Sequence, residues 1–165
     1  MKSHLLHIIR LMPFLMLFSL LSSCHTGQAK NRSPKPDGKG SFDQWVASVH
    51  SFPYTAPAER QKQIRDNFSK LSLGLTKTQV EMLLGEPDYS RVSARKGFNP
   101  EYIGSSWKYV FYDDDPNLVN EKTENRIGVS FDMNDCVYWV APVNIDGLSD
   151  IGGLGVKLQP DKSDN

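Results

Sequence analysis

The residues suited to chemistry are few and scattered along the chain. Asp113, Asp114 and Asp115 stand together, and carboxylate oxygens of this kind recruit hard cations. Consecutive residues project in different directions, however, and no following glycine and distal glutamate complete a calcium loop. The trio therefore reads as a solvated loop, and no metal is assigned to it. Arg91, Arg95 and Lys96 form a second group, in a long loop that also holds Phe98 and Tyr102. Basic and aromatic side chains together suit a lipid headgroup, peptidoglycan or an acidic partner surface. For nucleophilic catalysis the candidates are His50 and Cys136, because His25 lies in a polar segment and the other two histidines precede it in an apolar leader. Cys136 falls in a strand-like alternation that puts it on the core face, the setting of an inert structural thiol. No catalytic residue and no cofactor follow from these patterns.

The leader bounds everything after it. Lys2 and Arg10 flank the start of an apolar run over residues 8–21, too short for a confident membrane span, and the run ends in Leu21-Ser22-Ser23-Cys24. Two small residues before a cysteine at that distance resemble the bacterial lipobox. Residues 1–23 then form a signal peptide, and Cys24 becomes the lipid-bearing N-terminus of a mature chain of 142 residues. That length suffices for one domain with a core. Removing Lys2 and Arg10 leaves 17 basic against 19 acidic residues, a near-neutral balance that argues against nucleic acid as the partner. If Cys24 carries lipid, Cys136 has no intramolecular partner, and the domain does not rely on a disulfide.

Residues 24–40 are a tether, for the stretch from His25 to Gly40 has no large apolar residue and is rich in Pro, Gly and charge. Folding starts near Ser41, whose "SFDQ" has the grammar of a capping box, with Phe42, Trp45, Val46 and Val49 at helical spacing. Pro53 and Pro57 interrupt this. From Ala58 to about Leu71, Ile64, Phe68 and Leu71 share one face of a second helix. The stretch "SLGLTKTQVEMLLGEP" is a third: Thr76 caps it, Gln79 reaches back, Leu75 and Val80 staple the entry turn, and Gly85 and Pro87 stop it. Periodicity then changes to two. Trp107, Tyr109 and Phe111 alternate with Lys108, Val110 and Tyr112, and read as inward-facing core aromatics. Ile127, Val129 and Phe131 repeat the pattern, and a third run, Cys136 to Val140, follows the turn "DMND" with Cys136, Tyr138 and Val140 on the face of Phe131. The expectation is an α+β two-layer sandwich, with N-terminal helices packed on a three-stranded antiparallel sheet over residues 41–145, and an irregular tail over residues 146–165.

Taken together, the lipobox, "LGLTKTQVEMLLGEP", "WKYVFY" and "GVSFDMNDCV" resemble the SmpA/OmlA domain, the BamE-like family of outer-membrane assembly lipoproteins. The family pattern is met by Gly74, Leu75, Thr76, Gln79, Val80, Leu84, Gly85, Pro87, Trp107, Tyr109 and Phe131. Glu86 replaces its usual threonine, and a longer segment separates the third helix from the first strand. The resemblance implies a helix-helix-strand-strand-strand domain that binds proteins or envelope components and is not an enzyme. The function expected is a lipid-anchored scaffold or adaptor in the cell envelope, held to the outer membrane through Cys24 with its domain in the periplasm. Its partner would be an envelope protein, the outer-membrane assembly machinery among the candidates. The alternative on the same fold is an inhibitor or ligand-binding module with no role in assembly. Arg91, Arg95, Lys96, Asp113, Asp114 and Asp115 are the candidate partner-binding residues.

Overall fold

The structure is a computed structural model that describes residues 39–95, 101–115, 117 and 123–153, with residues 94, 95, 101 and 102 described by their backbone alone. The segment read as a signal peptide, Cys24, most of the expected tether, Lys96 and the last residues of the expected tail lie outside the described residues.

Three helices and a six-stranded antiparallel sheet make up the described chain. In chain order they are α1 (Phe42–Ser48), β1 (Tyr54–Thr55), α2 (Ala58–Phe68), α3 (Lys77–Leu84), β2 (Tyr89–Arg95), β3 (Glu101–Asp113), β4 (Asn125–Phe131), β5 (Val137–Val143) and β6 (Ile151–Gly152). The sheet runs β1-β3-β4-β5-β6, and β2 also pairs with β3. The α+β class is as expected, whereas the three-stranded sheet is not. The meander β3-β4-β5 is the part that alternation marks, and β1, β2 and β6 are additions to its edges. Such strands carry little apolar alternation because each has a single neighbour to satisfy its backbone.

Local rules set the helices. Ser41 caps α1: its hydroxyl accepts from Gln44 N at 3.3 Å, while its own N–H donates to Gln44 Oε1 at 2.8 Å. Thr76 does the same for α3, accepting from Gln79 N at 3.3 Å and donating its N–H to Gln79 Oε1 at 2.8 Å. Gly85 ends α3 with φ +80°, a conformation that side-chain-bearing residues resist, and its carbonyl accepts a hydrogen bond from the Tyr109 hydroxyl at 3.2 Å. The helix stop is thus tied to the sheet.

Alternation along β3 then builds two cores. Trp107, Tyr109 and Phe111 face α2 and α3, joining Ile64, Phe68, Leu71, Val80 and Leu84 with Ile127, Val129, Phe131, Val137 and Val140. Val110 faces the other way and is also fully buried, because α1 brings Trp45 across that face to meet Tyr89. The sequence expectation of two layers is corrected here: helices lie on both faces of the sheet, α1 against one and α2 with α3 against the other. Other boundaries move as well. Lys39 pairs with Glu81 at 2.8 Å and the Gly40 carbonyl accepts from Ser90 N at 2.8 Å, so the last two tether residues belong to the fold. Ile145 is buried, Leu148 packs on the main core and β6 pairs with β5, so the domain continues past 145. A bulge between Ser130 and Phe131 sets Val137 opposite Phe131 and Val140 opposite Val129. Both therefore face the core, whereas the even register would have put Tyr138 there. Gly104 marks where β3 bends past β4, since a Cβ at this position would lie 2.0 Å from the Phe131 carbonyl oxygen.

If the capping box and the α3 face hold the domain as described, Thr76→Ala should lower stability by about 1 kcal/mol through the lost cap. Leu84→Ala should cost about 2 to 5 kcal/mol through lost burial and the cavity left behind. Denaturant melts of the two variants measure both, and a Leu84→Ala change as mild as the cap loss would mean that α3 is not part of the core.

Candidate functional site

β3 separates the two candidate patches that the sequence offers. Arg91 pairs with Ser106 and Asp113 pairs with Tyr54, so seven residue steps of β3 separate them, about 24 Å at the rise of an antiparallel strand. Arg95, opposite Glu101, is farther still. The basic and acidic groups therefore do not form one site.

At the basic end, Arg91 and Arg95 belong to β2 and not to a loop. Pairing with β3 supplies partners for a backbone whose polar side chains hide its strand character. The exposed Arg91 guanidinium lies 5.5 Å from the ring centres of both Phe42 and Tyr89. This stacking fixes the charge against α1 and leaves it open to solvent. The Arg95 side chain and all of Lys96 lie outside the described residues.

At the acidic end the three aspartates have three different surroundings. Asp113 closes β3 and is only 2 % exposed, with Oδ1 accepting from Asp115 N at 3.2 Å. Asp114 is exposed and accepts from the Thr123 hydroxyl at 2.8 Å. Asp115, half-buried, accepts from Asn117 N at 2.8 Å. The solvated loop expected for the trio holds for Asp114 and is corrected for Asp113, which the end of the sheet covers. Among the described residues no group of His, Cys, Asp and Glu is arranged to hold a metal ion.

Two charged residues escaped the sequence reading. Glu124 and Arg126, 1 % and 7 % exposed, form a buried ion pair in which Arg126 Nη1 donates to Glu124 Oε2. Glu124 Oε1 has no hydrogen-bond partner among the described residues. Their spacing at the start of β4, two apart and hence on one face, was the available signal. Burial pushes the Glu124 carboxyl up, against the pull of Arg126 and with help from Asp113. Burial likewise raises Asp113, against the Asp115 N–H and with the neighbouring Asp114 and Asp115 adding to the rise. Tyr89 is pushed up to about 12, chiefly by burial and then by Glu124. These groups form a desolvated polar cluster near the end of β3 and the start of β4.

His50 and Cys136 do not meet. Cys136 bridges to Thr76 beside Phe131, which pairs with Ser105, while His50 lies by Tyr54, which pairs with Asp113. The eight residue steps of β3 from Ser105 to Asp113 put them about 27 Å apart. Cys136, 4 % exposed, is disulfide-bonded, which corrects the expectation of a domain without a disulfide. Cys24, the other cysteine of the sequence, lies outside the described residues. Trp107 and Tyr109 are core residues as expected, 2 % and 0 % exposed. No described helix is long and apolar enough to cross a membrane.

The raised Asp113 carboxyl has a readable consequence. In the folded state it keeps its proton to higher pH than in the unfolded chain, whose value is near 3.8, so its contribution to stability is complete below that value and is lost as pH rises through the folded-state value. Asp113→Asn can still accept from Asp115 N and does not titrate. The melting temperature of the wild type relative to this variant should therefore rise as pH falls from about 7 to about 4. A difference that shrinks on acidification would mean that the carboxylate is stabilised in the fold. No family model, curated protein or solved structure matches this chain.

Proposed function

We propose that this chain is a lipid-anchored adaptor of the cell envelope, resembling the BamE-like lipoproteins, which works by binding another envelope protein. The observation that supports it most is the element order: two helices, α2 and α3, on one face of the meander β3-β4-β5. This is the order the resemblance implies, and the motif residues Thr76, Gln79, Val80, Leu84, Gly85, Trp107, Tyr109 and Phe131 all serve as caps or core within it. Since those residues are used up in the fold, binding falls to the strand ends and loops, where Arg91 and Asp114 are exposed. Cys24 supplies the anchor through a thioether, with further acyl chains giving a stable hold on the membrane. That use of its sulfur is incompatible with the Cys136 disulfide of this structure if Cys24 is its partner; an intact mature mass that includes the lipid supports the anchor, and one without it overturns the anchor.

Fractionation of cells carrying Cys24→Ser should show the chain released from membranes or left unprocessed; a mature form still in the membrane fraction would remove the anchor. The adaptor reading is tested with photo-crosslinking residues placed at Arg91, at Asp114 and, as control, at Met82 on the solvent side of α3. Arg91 or Asp114 should give a discrete protein adduct in intact cells and Met82 should not, whereas adducts from Met82 alone would make α3 the contact surface. Charge reversal at the productive position should weaken capture while changing stability by no more than about 0.5 kcal/mol.

A further inference from the structure

α1 ends at Ser48, and the chain turns back through residues 49–53 into β1. Between these two limbs opens a cleft of about 570 Å³. Trp45 lies deepest, 6 % exposed, and meets the half-buried ring of Tyr54 edge-on at 5.3 Å and 86°. Val49 and Pro53 extend this apolar wall. The rim is different in kind: Ser48, Ser51 and Thr55 bring hydroxyls, and His50 an imidazole, all of them exposed. Asp88 is the one carboxylate in the lining, and its Oδ2 is already held by Arg60 at 3.1 Å and Val110 N at 2.7 Å.

Each ordinary class of small ligand can be weighed against these walls. An anion finds no lysine or arginine among the described residues of the lining. A cation finds a carboxylate whose charge Arg60 already answers. A planar base finds the half-buried Tyr54 ring but, in the described lining, no second ring parallel to it to sandwich its two faces. An alkyl chain would cover hydroxyls and an imidazole that it cannot pair. What remains is a neutral ring with one apolar face and hydroxyls around its edge. Sites of this kind combine an apolar wall with a few placed polar groups.

We propose that the cleft between α1 and β1 binds one or two pyranose units of a neutral glycan, with the half-buried Tyr54 ring against the apolar face of the sugar, Trp45 packed edge-on behind it, and Ser51, Thr55 and His50 hydrogen-bonding its hydroxyls. The assignment stands whether or not the chain carries lipid or binds an envelope protein. It adds a carbohydrate contact on a part of the fold that the resemblance does not cover.

The test uses the full chain purified in detergent, with cellobiose and N,N′-diacetylchitobiose as probes and choline, adenosine and inorganic phosphate as controls. Saturation-transfer NMR and calorimetry should show saturable binding of at least one disaccharide with a Kd of about 1 mM or tighter. The His50→Ala, Ser51→Ala, Thr55→Val triple variant changes only exposed side chains and should melt like the wild type. It should bind the sugar at least about tenfold more weakly, since several hydrogen bonds are lost together. Should the triple variant melt lower, amide shifts of the wild type on titration decide instead, and they must centre on residues 48–55. The proposal is overturned if neither disaccharide binds, if a folded triple variant binds as tightly as the wild type, if the shifts lie elsewhere, or if a control ligand binds more tightly.

Discussion

The Asp88 carboxylate closes a gap that the rest of the fold creates. β2 covers the outer edge of β3 as far as Lys108, and β1 covers it only from Tyr112 onward. Between them the Val110 N–H points outward from a residue that is fully buried, and no strand is there to meet it. Asp88 Oδ2 accepts that hydrogen at 2.7 Å, while Asp88 N donates to the Lys108 carbonyl and Ala56 N to that of Phe111. Leaving a buried donor unmet costs about 1 to 3 kcal/mol, so a side chain substitutes for a missing rung. Burial pushes the Asp88 carboxyl up, and Arg60, reaching over from α2, works against that rise. Arg60 also donates to the Glu86 carbonyl at 2.8 Å. One acid thus joins β2, β3 and α2, and the segment between α3 and β2 has its course set by this need.

The same gap explains why both faces of β3 are covered. β1 reaches the edge only because the chain comes back from α1, and α1 lies against Tyr89 and Val110 on the face opposite α2 and α3. Phe42, Trp45, Phe52, Tyr54 and Tyr89 meet there with ring centres 5.2 to 6.1 Å apart, largely edge to face. Such contacts favour a particular geometry over generic burial. The aromatic cluster is what allows a seven-residue helix to hold its place, since a helix that short is marginal on its own.

What could be read from sequence divides along this line between local and distant causes. The caps at Ser41 and Thr76, the stop at Gly85 and the inward faces of β3 and β4 rest on residues a few positions apart, and the side-chain types alone settle them. β2 could not be seen this way. "YSRVSAR" has the composition of a loop, and only the length of β3, itself masked by Gly104, Ser105 and Ser106, gives it a partner. Val110 has the same history. Its alternation pointed it away from the core, and α1, more than sixty residues earlier, is what buries it. Among the candidate site residues, Arg91 and Asp114 remained exposed as their chemistry suggests. Asp113 did not, because exposure at a strand end depends on what packs over it.

Glu124 and Arg126 carry this reasoning into function. A buried ion pair costs desolvation that its own attraction seldom exceeds, and one oxygen of Glu124 has no partner among the described residues, so the pair is a poor way to gain stability. Its position gives it another use. It lies where β4 begins, with the Glu124 carbonyl accepting from Asn144 Nδ2 at 2.9 Å, and Asp113 at the end of β3 is close enough to raise the Glu124 carboxyl. The polar cluster thus reaches both ends of the segment between β3 and β4, with Glu124 paired to Arg126 and Asp113 near enough to act on Glu124. Asp114, next in the chain after buried Asp113, is exposed. At the other end, Arg91 is held against Phe42 and Tyr89. Opposite charges about 24 Å apart along β3, Arg91 on the paired strand β2 and Asp114 just past the end of β3, suit a partner with two separate complementary patches and disfavour a small ligand spanning both.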